Sequence, residues 1–143
     1  MNVELIIISY NSTSHFDELF RSIFAQDYKG NLTITVVDNC SSDNSVKYIQ
    51  NKFPDVKLIL SPKNIGYGAA ANLGANNSNA DLVFICNSDL ILFRDTITNA
   101  VNSLTLNEHI GILGGQQQYP NGDWQKSYGS FPSLKKAFQN LVF

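Results

Sequence analysis

The stretch from Val3 to Ile8 is, apart from Glu4, an apolar and largely β-branched run, the pattern of a strand covered on both faces. A strand of that kind needs helices above and below it, which confines the chain to a layered α/β architecture with a mostly parallel sheet. The rest of the sequence supplies helices and strands in alternation. Ser12 to Ala25 carries Phe16, Leu19, Phe20, Ile23 and Phe24 as a helical stripe, stopped by Gly30. Leu32 to Val37 reads as a second strand, Val46, Ile49 and Phe53 as a helix closed by Pro54, and Val56 to Leu60 as a third strand. A glycine-rich turn, Asn64-Ile-Gly-Tyr-Gly68, opens a helix of small residues running through Asn77. Leu82 to Cys86 is a fourth strand, Ile97, Val101 and Leu104 mark a helix behind an Asp95 N-cap, and Ile110 to Leu113 is a fifth strand.

After Gly114-Gly115 the alternation ends. Asn121-Gly122 is a preferred pair for a tight hairpin, and Phe131, Leu134, Phe138 and Leu141 form a last amphipathic stretch. The sequence thus divides into an α/β portion, residues 1–115, and a hairpin with an amphipathic segment, residues 116–143, of the same domain. The apolar finish Leu141-Val142-Phe143 raises the expectation that more protein follows, and of a homo-oligomer or peripheral membrane association through this portion.

Composition narrows the function. A chain of 143 residues is close to the ~150 typical of one domain with its own core. With 43% hydrophobic residues it is not a disordered polymer, and its 10 basic residues against 12 acids form no basic run of the kind that tracks nucleic acid. Its apolar runs are far shorter than the ~20 residues that span a bilayer, and the N-terminus has no basic region before an apolar core. A cytoplasmic protein, at most attached to the inner face of a membrane, is expected. Cys40 and Cys86 then read as two reduced, largely buried thiols.

In open parallel sheets, ligands bind beyond the carboxyl ends of the strands. After the first strand come Ser9, Tyr10 and Asn11; after the second, Asp38, Asn39, Ser41, Ser42 and Asp43; after the third, Lys63, Asn64, Gly66 and Gly68; after the fourth, Asn87, Ser88 and Asp89. Each cluster alone is explained by caps and turns. Four on one edge, holding three carboxylates, point to a polar ligand with a metal ion. Asp38 is placed to accept from a base N–H, or to serve as a turn acid. Gly66 and Gly68 permit close backbone approach, or a simple left-handed turn. Asp89, at the end of Leu-Val-Phe-Ile-Cys, suits a hard cation bridging to phosphate oxygens. His15 and His109 have no partner at ligand spacing and read as surface or satisfied residues; Trp124, Tyr128 and Phe131 read as core or subunit packing.

Together Ile6-Ile-Ile-Ser-Tyr-Asn11, Ser22-Ile-Phe-Ala-Gln26, Val36-Val-Asp-Asn-Cys-Ser-Ser-Asp43, Asn64 to Gly74 and Asn87-Ser-Asp89 resemble, in order and spacing, the family 2 glycosyltransferases. Asn121-Gly122-Asp123 and Ser130-Phe-Pro-Ser133 are similar to its rhamnosyltransferase-type branch, whose members act in bacterial surface polysaccharide assembly. The resemblance implies a GT-A fold, a Rossmann-like α/β/α sandwich, and a nucleotide-diphosphate sugar donor such as dTDP-rhamnose or a UDP-sugar. It also implies a saccharide or lipid-linked acceptor, Mg²⁺ or Mn²⁺, and inversion at the sugar carbon. By position, Ser9, Tyr10 and Asn11 would line the nucleotide, Asp38 would hold the base with Asn39 beside it, Asn64 and Gly66 would border the nucleotide together with Asn87 and Ser88, and Asp89 would hold the metal.

Two departures carry expectations of their own. Asn87-Ser-Asp89 keeps only the last carboxylate of the usual Asp-x-Asp, so metal affinity without nucleotide should be weak. Asp123 is the only acid after Glu108, which places the general base of an inverting transfer beyond Phe143 and makes this chain a donor half without turnover of its own. A binding module without catalysis is therefore the first alternative. A dinucleotide-dependent oxidoreductase is the second, since Gly66-Tyr-Gly68-Ala-Ala-Ala71 matches the phosphate-binding fingerprint, but it follows the third strand and lacks the acid expected ~20 residues on. A receiver-type domain would need acids where Ser9, Tyr10 and Asn11 stand.

Overall fold

A computed structural model describes residues 1–127, so Tyr128, Ser130-Phe-Pro-Ser133 and the amphipathic stretch expected over 131–141 lie outside the described residues. The chain forms two compact units, Met1–Ser103 and Leu104–Phe143. The first contains β1 (Asn2–Ser9), α1 (Phe16–Phe24), β2 (Asn31–Asp38), α2 (Ser45–Lys52), β3 (Lys57–Leu60), α3 (Tyr67–Asn76) and β4 (Leu82–Asn87), with a single 3-10 turn at Thr13–His15 ahead of α1. Helix α4 (Thr96–Leu106) follows, and β5 (Gln117–Gln118) and β6 (Trp124–Gln125) come last.

The sheet of the first unit is parallel throughout, in the order β3-β2-β1-β4. As the apolar run at Val3–Ile8 requires, β1 is paired on both sides and almost wholly buried. Its side chains alternate between two layers. Leu5 and Ile7 join Phe16, Leu19, Phe20 and Ile23 of α1, Ile49 of α2, Val36 and Cys86 in one cluster. Ile6 and Ile8 join Val37 with Ala70 and Ala71 of α3 in the other. Burial of each large side chain is worth about 1.5–3 kcal/mol, so this one strand anchors both layers. The small residues of α3 let it lie close: a Cβ built on Gly74 would stand 2.5 Å from Ile6 Cγ2 and 3.0 Å from Val37 Cγ2.

The amphipathic pattern fixes α1, with Asp17 and Glu18 in its first turn complementing the helix dipole. Helix α4 is held at its start by Gln26 Oε1, which accepts from Ile97 N at 3.1 Å, and by Asp27 Oδ1, which accepts from Thr98 Oγ1 at 2.6 Å. Asp95 precedes it, its carbonyl accepting from Asn99 N at 2.9 Å. In the second unit β5 and β6 pair antiparallel around the expected turn, with Gly122 at φ 88°, a left-handed conformation that glycine adopts without strain.

Three expectations are corrected. Ile110–Leu113 is not a strand; the run lies in irregular backbone with Ile112 93% exposed, because a short apolar run becomes a strand only where a neighbour offers it a hydrogen-bond ladder. Cys40 is exposed, not buried: it occupies the left-handed turn that follows β2, at φ 68°, whereas Cys86 in β4 is buried. Trp124 is exposed as well, on the hairpin strand β6, so of its two expected places, core or subunit contact, it is not in the core. His15 and His109 are both exposed.

Candidate functional site

The chain lays down β1, β2 and β3 in one direction and then returns to the far side of β1 for β4. The order reverses between β1 and β4, and the crevice at such a reversal, beyond the carboxyl ends of the strands, is where parallel sheets hold ligands. Register puts Ser9 opposite Asp38, Asp38 opposite Leu60 and Ile8 opposite Asn87, so all four polar clusters do share one edge.

The turns after β1 and β2 are tied to each other. Asn11, at φ 53°, accepts through Oδ1 from Ser42 N at 2.8 Å and Asp43 N at 3.3 Å, while its own N donates to Ser41 Oγ at 2.9 Å. Asp38, 3% exposed, accepts from Ser41 N at 2.9 Å and from Ser41 Oγ at 2.5 Å, one bond at each carboxylate oxygen. It is thus a turn acid, and a base contact would use its remaining lone pairs. Asp43 caps the same structure, accepting from Ser45 N at 2.9 Å and from Thr13 Oγ1 at 2.8 Å. Desolvation works against its charge, but the bonds from Ser45 and Thr13 together outweigh it and hold the carboxyl at about 2.

The glycine-rich turn is clasped from β2. Asn39, itself 3% exposed, donates through Nδ2 to Asn64 Oδ1 at 3.1 Å and accepts from Ile65 N at 2.9 Å. Asn64 Oδ1 also accepts from Gly66 N at 3.0 Å. Gly66 then turns at φ 81° to present its carbonyl to Ala70 N, the first bond of α3. The expected site residues Asn11, Asn39 and Asn64 therefore spend their side chains on backbone and on each other.

At the end of β4, Asn87 and Asp89 are exposed while Ser88 between them is buried. Ser88 Oγ lies 2.7 Å from Ser12 Oγ, and Ser12 Oγ accepts from Tyr10 N at 3.2 Å while Ser12 N donates to Ser45 Oγ at 2.9 Å. Ser12 and Ser45 were not among the sequence candidates; the only trace of them is a hydroxyl-rich run after each strand. Ser9 Oγ is the one buried side-chain polar atom without a hydrogen-bond partner among the described residues. Burial, with the charge of Asp89 adding to it, pushes the Cys86 thiol up to about 12, so this thiol is not a nucleophile near neutral pH. Burial first, then the charges of Cys86 and Asp89, raise the Tyr67 hydroxyl at the start of α3.

Among the described residues no three His, Cys, Asp or Glu side chains gather into a metal cage. Of the two exposed carboxylates on the edge, Asp43 is taken up by Thr13 and Ser45, which leaves Asp89 beside amide and hydroxyl oxygens. That donor set fits a hard cation that takes most of its ligands from phosphate and water, as Mg²⁺ does, and not a closed protein site. Among the described residues, no helix is long and apolar enough to cross a membrane.

Residues 4–142 match the model of the glycosyl transferase family 2. An N-acetylglucosaminyltransferase from Bradyrhizobium elkanii is 32% identical over 120 residues, which cover 80% of this chain and 65% of that protein. TarS 1-349 from S. aureus, solved in complex with UDP-GlcNAc, superposes with a TM-score of 0.65 at 25% identity, covering 76% of this chain and 32% of that one. A mannosyltransferase from Pyrobaculum calidifontis, solved with GDP-Man and Mn²⁺, superposes with a TM-score of 0.64 at 29% identity, over 72% of this chain and 32% of that one. The parallel sheet and its flanking helices are those of GT-A glycosyltransferases.

Proposed function

Because the chain belongs to glycosyl transferase family 2, we propose that its β1–β4 edge binds the nucleotide diphosphate of a sugar donor whose sugar passes to a saccharide or lipid-linked acceptor. The observation that carries this reading is the placement of Asp89, exposed at the strand-order reversal, next to turns already braced by their own side chains. A UDP-sugar is the favoured donor, supported by the N-acetylglucosaminyltransferase relative and by the similar structure solved with UDP-GlcNAc. The rhamnosyltransferase-like segment Ser130-Phe-Pro-Ser133 favours dTDP instead.

In this reading the residues divide by task. Tyr10, half exposed, and Asp38 meet the nucleoside, the latter with lone pairs that Ser41 leaves over. Ser9 offers its orphaned hydroxyl beneath them. Gly66 allows the backbone to come close to the nucleotide, since a Cβ there would meet nothing within 4 Å and the φ of 81° suits glycine alone. Asn11, Asn39 and Asn64 hold these turns in place, and Asn87 and Asp89 face the diphosphate. Asp89 would hold Mg²⁺ or Mn²⁺, which when bound neutralises the charge that develops on the departing diphosphate of an inverting displacement. The general base is none of these residues. Asp123 is an unfit candidate, because its carboxylate accepts from Asn121 Nδ2 at 2.8 Å inside the hairpin turn.

Calorimetric titration of the 143-residue chain with UDP, dTDP and GDP in the presence of Mn²⁺ tests this. Tighter uptake of UDP is expected. A tighter hold on dTDP would move the donor to the rhamnosyl class, and a chain that takes up none of the three would overturn the proposal.

A further inference from the structure

We propose that Ser12 is a positioning residue for Asp89, acting through the hydroxyl of Ser88. This rests on the reading of Asp89 as the residue that meets a cation on the nucleotide diphosphate. The β1–β4 ladder ends at Ile8 and Asn87, so Ser88 and Asp89 extend past its last rung. Ser88, 9% exposed between two exposed neighbours, points its hydroxyl inward to Ser12 Oγ at 2.7 Å. Among the described residues this is the one side-chain hydrogen bond made by Asn87, Ser88 or Asp89.

Ser12 is itself held from two directions. Its Oγ accepts from Tyr10 N at 3.2 Å, and its N donates to Ser45 Oγ at 2.9 Å, while Ser45 N donates to Asp43 Oδ1 at 2.9 Å. A chain of hydrogen bonds therefore runs from the first residue of α2 through the backbone N and the hydroxyl of Ser12 to the turn after β4. Buried hydroxyls in such a chain fix one geometry, because each leaves its partner unsatisfied if it swings away. The consequence is that Asp89 stands at a set distance from the turn carrying Tyr10 and Asn11, which is what a cation shared between a carboxylate and a bound diphosphate requires. Ser88, assigned to the nucleotide on sequence position, acts on Asp89 and not on the nucleotide.

The test is a double-mutant cycle on UDP binding, measured by calorimetry with and without Mn²⁺, on Ser12→Ala, Ser88→Ala and the double variant. Each single variant should lose about fivefold of the Mn²⁺-dependent gain in affinity, the size of one hydrogen bond, and the double variant should lose no more than either single one. UDP affinity without metal should stay within about twofold of the parent in Ser88→Ala, which leaves the bond from Tyr10 N to Ser12 Oγ in the nucleoside turn intact. Ser12→Thr, which keeps a hydroxyl, should restore the gain, and Ser88→Ala serves where Ser12→Ala melts early. A full Mn²⁺-dependent gain in both single variants, or equal losses with and without metal in Ser88→Ala, would overturn the inference. A parent chain that binds no nucleotide diphosphate at all would overturn instead the reading on which it rests.

Discussion

The turns after β1 and β2 and the turn after β4 lie on one edge of the same sheet, yet they are built in opposite ways. In the first pair almost every polar group is consumed locally: Asn11 grips Ser42 and Asp43, Asp38 grips Ser41, and Asp43 grips Ser45 and Thr13. In the second, Asn87 and Asp89 are exposed and a single hydroxyl of Ser88 reaches back to Ser12. The difference teaches which residues shape the site and which are left over to meet a ligand. A residue that stabilises a turn has its hydrogen-bonding capacity committed before any ligand arrives; a carboxylate exposed beyond the last rung of a ladder has not.

That contrast predicts a ranking of substitutions by their effect on stability. Asn39→Ala should cost most, about 3 kcal/mol, since it strands the half-buried Ile65 N–H and releases Asn64 from the glycine-rich turn. Urea denaturation measures it, and a loss under about 1 kcal/mol would mean that the clasp is ornamental.

Asp43 comes next and is read through pH. Its carboxyl lies at about 2 in the folded chain against an ordinary 3.8, so its stabilising contribution is complete above about 3.8 and disappears as pH falls toward about 2. Asp43→Asn should flatten the acid limb of thermal stability in that window while leaving pH 7 packing intact. An unchanged acid limb would show that Thr13 and Ser45 do not favour the charged form.

Asp89→Asn should have the smallest effect, within about 0.5 kcal/mol, as expected for an exposed side chain outside the network. A melting temperature that moved as far as for Asn39→Ala would erase the distinction between the two kinds of turn.

Much of the fold was legible in the sequence because its cause is local. A β-branched run such as Val3–Ile8 can be satisfied only by a central strand, and the stripe of Phe16, Leu19, Phe20 and Ile23 only by a helix on its face. The edge on which ligands gather was legible too, since polar residues follow each strand. What stayed hidden depends on approaches between distant turns. Nothing near Asn11 in sequence shows that its amide reaches Ser42, and nothing near Ser12 shows that Ser88 will lie 2.7 Å away. Ile110–Leu113 has the composition of a strand but no ladder to join, and Cys40 is turned outward by a left-handed backbone that apolarity does not encode.

The central claim is that Asp89 meets a metal ion on a nucleotide diphosphate at the β1–β4 reversal. Its most direct test is the calorimetric affinity of this chain for UDP with and without Mn²⁺, in the parent and in Asp89→Asn. The account predicts that Mn²⁺ tightens UDP binding to the parent and leaves the variant at its metal-free affinity. A variant that still gains as much from Mn²⁺ would place the cation elsewhere and contradict it.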